Sequence, residues 1–289
     1  MTVNRPEQML FCGYAQIDKR GLNMRKRDAW NNFAPLNSDK YESALQFDYA
    51  GNLNCDQTLY LSVPKDKKNV PLLIFFHGGG MTADPREIPD KVYDGEFAVV
   101  EPRYRLADSA AAPAQIEDAA QAIAWCFAHA EEYSIDRTKI FVGGMSAGAY
   151  LAAIAVMNPV FLEKYKLHYR DIAGLALISG QMTTHFRIKS DLKRDNGQYN
   201  PLIDEYAPLS CLSADLPPIL LVTGESGLDI PVRPEENAFA AASLKAMGHP
   251  FIRYYSLAGH THTGSMDSCD FLLMKFLYDV LSNKDSLAG

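Results

Sequence analysis

Ser146 stands in the stretch VGGMSAGAY, with Gly144 and Gly148 two positions to either side. A serine hydroxyl is a weak nucleophile, so chemistry at its oxygen requires exposure and a base beside it. A sharp strand-to-helix turn gives the exposure at the cost of a strained backbone, and brings neighbours two residues away so close that side chains there would clash. Glycines at 144 and 148 meet that demand, and Gly143, Ala147 and Ala149 keep the surroundings small. A second stretch, FFHGGGM, places Gly78, Gly79 and Gly80 directly after His77. Consecutive glycines leave backbone N–H groups unshielded, able to approach a negatively charged oxygen and lower an acyl-transfer barrier.

Both stretches need elements that hold them. From about residue 45 the chain alternates short β-rich runs with helical stretches, which predicts a mostly parallel sheet flanked by helices, an α/β fold class. Strands are expected at 70–76, 97–102, 139–144, 172–179, 218–224 and 251–257, most of them continuous apolar runs as strands buried on both faces should be. Apolar residues at helical spacing predict a crossover helix over 113–133, and 42–64 reads as two antiparallel strands around a Gly-Asn turn. The whole chain, 1–289, reads as a single domain. Residues 1–41, with Phe11, Tyr14, Trp30, Phe33 and Tyr41 among many charges, predict a small N-terminal extension or cap of short helices. Residues 181–216 interrupt the alternation and are expected to form a lid-like insertion.

With these motifs the sequence resembles the α/β-hydrolase fold, in particular hormone-sensitive-lipase-like esterases with an H-G-G-G loop. The run from PRYRLADSAAAPAQIEDAA to GMSAGAYLAA is similar to that group's Y-R-L, P-A-x-x-x-D and G-x-S-A-G pattern, and the resemblance covers about 55–282. It implies that Ser146 is a nucleophile cleaving carboxylic esters with short or aromatic acyl groups. It also implies an oxyanion hole from the N–H groups of Gly78, Gly79 and Ala147. Tyr104, Arg105 and Asp118 are assigned to structure.

In this fold the partners follow the serine in the order acid, then histidine. Of the seven histidines only His260 and His262, in LAGHTHTGSMD, lie after the last expected strand. The resemblance matches the second to the catalytic position, with His260 as the alternate. Relatives show G-E-x-D after the preceding strand, whereas TGESGLDIP puts Gly227 at the expected aspartate. Asp229 becomes the candidate acid and Glu225 its alternate. Rival readings are an arylformamidase-type amide hydrolase, a peptidase, and a binding protein that kept the fold without the chemistry.

Composition narrows the partners. Hydrophobic residues at 47% and charged residues at 22% fit a globular protein, and the net charge of −7 repels nucleic-acid backbones and anionic membranes. No apolar run reaches the roughly 20 residues that span a bilayer, and the start MTVNRPEQML lacks the order of a secretion signal. The expectations are therefore a small-molecule ester as partner, no nucleic acid, no membrane, a homodimer as an open option, and a cytoplasmic location. Five scattered cysteines without a C-x-x-C pair read as free thiols. The His-x-His pair with Asp267 falls short of three metal ligands, and HGGGM lacks the lysine of a phosphate loop, so neither metal nor cofactor is expected.

Overall fold

Eight strands form one sheet in the order β1-β2-β4-β3-β5-β6-β7-β8 in the computed structural model, which describes residues 34–194 and 197–287. They are β1 (Leu45–Asp48), β2 (Thr58–Ser62), β3 (Val70–Phe76), β4 (Ala98–Pro102), β5 (Ile135–Met145), β6 (Gly174–Ile178), β7 (Ile219–Gly224) and β8 (Ile252–Leu257). β2 is antiparallel to both its neighbours, and β4 through β8 pair in parallel. The helices are α1 (Ala114–His129), α2 (Ala147–Met157), α3 (Pro159–Glu163), α4 (Phe186–Asp191), α5 (Arg233–Ala246), α6 (His262–Asp267) and α7 (Asp270–Leu287).

Two apolar layers enclose the sheet. One face packs α1, α2 and α5 through Ile123, Phe127, Leu151, Ile154 and Leu244. The other receives α7 through Leu273, Phe276 and Val280 against Phe75, Phe141 and Val222. Every residue of α2 is buried, as its apolar composition on all sides requires. Parallel strands carry their chain turns at the carboxyl edge, so residues following β3, β5, β6, β7 and β8 gather along one rim.

Several expected boundaries shift. The crossover helix stops at His129 rather than near Tyr133, because Ala130 to Ser134 turn back to feed β5, with Ile135 N–H donating to Ala130 O at 2.8 Å. The Gly-Asn site is not a tight hairpin turn. Asp48 instead accepts N–H bonds from Ala50, Gly51 and Leu53, and a 3-10 turn at Cys55–Gln57 leads into β2. Cys55 is disulfide-bonded, contrary to the free-thiol expectation, whereas Cys126, Cys211 and Cys269 are free. Most of the expected N-terminal extension lies outside the described residues. No helix among the described residues is long and apolar enough to cross a membrane.

The segment 181–216 is tied down at several points. Glu236 of α5 accepts from the N–H groups of Met182 and Thr183, Tyr150 of α2 donates to Tyr206 O, and Leu209 N–H donates to Met182 O. Its helix α4 reaches the glycine loop: a methyl group placed on Gly80 would lie 3.7 Å from the Phe186 ring.

Candidate active site

The turn at Ser146 carries the backbone strain that its neighbours foretell. Ser146 has φ 55 and ψ −115, and α2 starts at the next residue. A side chain on Gly144 would approach Gly148 C to 2.5 Å and Phe76 O to 2.7 Å, and one on Gly148 would approach Phe76 O to 2.1 Å. Both glycines are therefore required by backbone of β3 and α2 pressed against the turn. Ser146 N–H donates to Ile178 O of β6 at 2.8 Å, which ties the turn to the neighbouring strand.

Ser146 Oγ donates to His262 Nε2 at 2.9 Å, and His262 Nδ1 donates to Asp229 Oδ1 at 2.6 Å. Local structure explains both placements. Thr261 caps α6 by accepting from Gly264 N–H, so His262 is the first helical residue, and the chain before it lies on Gly224, where a methyl group would sit 2.5 Å from His260 O. After β7, the N–H groups of Leu228 and Asp229 both return to Glu225 O, forming a single turn that lifts Asp229 toward the histidine. Gly224 N–H and Ile230 N–H donate to the Asp229 carboxylate at 2.8 and 2.6 Å. Burial alone would raise this carboxyl, but hydrogen bonds from His262 and Ser179 outweigh it and hold Asp229 below its ordinary value.

The alternates lie elsewhere. His260 Nδ1 bonds Ala258 O at 2.9 Å, and Glu225 accepts Gly259 N–H at 2.5 Å, so both brace the histidine loop rather than complete the relay. Asp267 closes α6 and, among the described residues, no three His, Cys, Asp or Glu side chains converge as metal ligands. His77 is stacked on Tyr104 at 4.3 Å, with its ring bonded to Gly78 O, and burial lowers its pKa to about 3. Tyr104 O–H reaches His77 O at 3.0 Å and Gly78 O at 3.1 Å, and Arg105 grips the buried Asp118. His77 and Tyr104 thereby hold the glycine loop in place.

Two participants were not anticipated. Ser179, just past β6, donates to Asp229 Oδ2 at 2.7 Å, and its Oγ lies 2.9 Å from His262 Nδ1. It has φ 46, and its carbonyl receives the buried Arg233 guanidinium at 2.6 Å. A polar residue ending a fully apolar strand on the rim was the available signal. Glu87 is the other: Gly78 N–H donates to its carboxylate at 3.2 Å, so one of the three expected oxyanion donors is already engaged. A small cavity of about 10 Å³ is lined by Phe186, Tyr199, Ile230, Val232, Arg233 and Glu236.

Comparison with known proteins follows the same lines. The BD-FAE family model matches residues 59–172. The chain is 29% identical over 231 residues to the carboxylic ester hydrolase LipN of Mycobacterium tuberculosis, covering 68% of this chain and 61% of that protein. It is 27% identical over 221 residues to an arylesterase of Saccharolobus solfataricus, covering 69% and 70%. The matched stretch thus spans about three-fifths of the mycobacterial relative's length. Among solved structures, a bacterial heroin esterase superposes with a TM-score of 0.64 at 26% identity, covering 84% of this chain and 83% of its own. Motif order, strand order and these similarities agree: the chain has the α/β-hydrolase fold and is similar to hormone-sensitive-lipase-like esterases.

Proposed function

We propose that the protein hydrolyses carboxylic esters of small molecules through an acyl-enzyme on Ser146. The observation that carries this reading is His262, bonded at 2.9 Å to Ser146 Oγ on one ring nitrogen and at 2.6 Å to Asp229 on the other. The Asp229 bond keeps the Nδ1 proton in place, so Nε2 is the free base. In the proposed reaction Ser146 attacks the ester carbonyl as His262 takes its proton. The N–H groups of Gly79 and Ala147, and of Gly78 once Glu87 yields it, receive the developing oxyanion. His262 then protonates the leaving alcohol, and a water activated by the same ring releases the acid, a cycle that calls on no cofactor.

Short or aromatic acyl groups are the first choice, supported by the similarity to the arylesterase of Saccharolobus solfataricus. Segment 181–216 belongs to the proposal as a lid insertion of one domain, with Phe186 as its contact to the glycine loop. A homodimer is part of the same proposal, read by sedimentation. So is a cytoplasmic location, against which the Cys55 disulfide speaks, since such bridges are rare in reducing compartments. The direct test is turnover of p-nitrophenyl acetate and butyrate with fluorophosphonate labelling at Ser146. Labelling with cleavage of formamides alone would transfer the assignment to an amide hydrolase, and no labelling would end it.

Ser179→Ala is expected to lower kcat by roughly 10- to 100-fold, the worth of one hydrogen bond to a charged group, while KM stays within about twofold. Its hydroxyl orients Asp229 and His262 and touches no substrate in this reading. Steady-state kinetics on p-nitrophenyl butyrate measure both constants; an unchanged kcat reduces Ser179 to a packing role.

A further inference from the structure

We propose that Arg233, at the start of α5, is a positioning residue of the relay: its guanidinium fixes the Ser179 carbonyl and thereby aims the Ser179 hydroxyl at Asp229 and His262. This role rests on the reading of Ser146 as nucleophile and adds to that site a residue that touches no reacting atom.

Ser179 needs to be held. Its φ of 46 is a left-handed conformation that a serine adopts at a cost, and such backbone persists only where the surroundings over-determine it. On one side, Ser179 N–H donates to Val222 O of β7 at 2.6 Å. On the other, α5 grips two successive carbonyls: Arg233 donates to Ser179 O at 2.6 Å, and Asn237, one turn later, donates to Gly180 O at 2.8 Å. Both side chains are buried. A methyl group on Gly180 would stand 2.9 Å from Ala149 Cβ, so α2 closes a third direction.

Burying a guanidinium is costly unless it is paired, yet the hydrogen bond of this one goes to a backbone carbonyl. Glu236 and Asp229 act on its charge from longer range, and Glu236 is occupied with the N–H groups of Met182 and Thr183. The hydrogen bond, rather than the net charge, is therefore what reaches the relay. With the carbonyl of Ser179 drawn toward α5, its hydroxyl donates to Asp229 Oδ2 at 2.7 Å and lies 2.9 Å from His262 Nδ1. Without the arginine the peptide after Ser179 is free to turn, the left-handed φ relaxes, and the hydroxyl leaves the pair.

The experiment is a double-mutant cycle on the full chain, Arg233→Met with Ser179→Ala, read as kcat and KM on p-nitrophenyl butyrate at a temperature where thermal melts show each variant folded. Arg233→Met is expected to lower kcat by about tenfold with KM within about twofold, and by less than about threefold once residue 179 is already alanine. A residue acting only on stability, or only through its charge on Asp229, would lose the same factor in both backgrounds, and that result overturns the inference. So does an unchanged kcat in Arg233→Met. Should Arg233→Met fail to fold, Arg233→Lys takes its place in the cycle, since it keeps the charge while its ammonium ends one bond short of Ser179 O. A loss of at least about fivefold that disappears in the Ser179→Ala background is then expected, and the same two results overturn the inference. If the wild type turns over the ester and Ser146 is labelled by a fluorophosphonate, the hydrolase reading stands and only the role of Arg233 falls. Absence of both in the wild type removes the hydrolase reading itself.

Discussion

Replacing Ser146 by alanine is expected to reduce turnover of p-nitrophenyl butyrate by on the order of 10⁴- to 10⁶-fold, leaving the fold intact. The proposed path breaks the ester through a bond to this oxygen alone, so no neighbouring group takes over when it is removed. The residual rate would come from binding and from N–H donors at the glycine loop acting on a water molecule. Stability should hardly suffer, because the side chain makes a single bond, to His262, and an alanine adopts the strained φ of 55 no worse than a serine. The check pairs active-site titration with a thermal melt. An alanine variant that keeps more than a hundredth of the wild-type rate, after exclusion of contaminating activity, would show that the chemistry runs elsewhere.

The largest effect on folding is expected two positions away. In Gly148→Ala the new methyl group would stand 2.1 Å from Phe76 O and 2.4 Å from His77 O, both backbone atoms of the strand end that carries the glycine loop. Side-chain clashes relax by rotation, but here strand and helix must separate. The helix in question is entirely buried, so the shift spreads into the core. The expected cost exceeds about 3 kcal/mol, beyond ordinary overpacking because neither partner can rotate away, and it is a large share of a domain's net stability. Guanidinium unfolding measures it where the variant is soluble. Ala149→Gly is the matched control, changing the neighbouring residue without adding an atom.

How far the sequence could be read follows from where each signal lies. The parallel strands were legible because strands covered on both faces leave unbroken apolar runs, as in VPLLIFF and PILLVTG. The serine turn was legible because the close approach of backbone to backbone excludes every side chain at 144 and 148. The acid was harder. The turn Glu225–Asp229 that lifts it consists of two N–H bonds to one carbonyl, and nothing in the spacing of TGESGLDIP separates Asp229 from Glu225 without a view of where each carboxylate ends. His260 and His262 differ only in which one falls inside the first turn of α6. Ser179 showed only as a polar residue at the rim end of an apolar strand, and its role stayed hidden because its partners Asp229 and His262 lie 50 and 83 residues on. Glu87 sits only nine residues from Gly78, yet the reversal that joins them leaves no pattern in the residues between.

The bond joining Ser146 and His262 spans 116 residues, and the imidazole follows the outermost strand of the sheet, the edge laid down last by the ribosome. Contacts of such long range form late, after the costs of closing large loops have been met. A nascent chain that has already built the kinked serine would thus stay inert until its C-terminal edge docks, and regain of activity during refolding would time that final event more sharply than any spectroscopic probe of helix content.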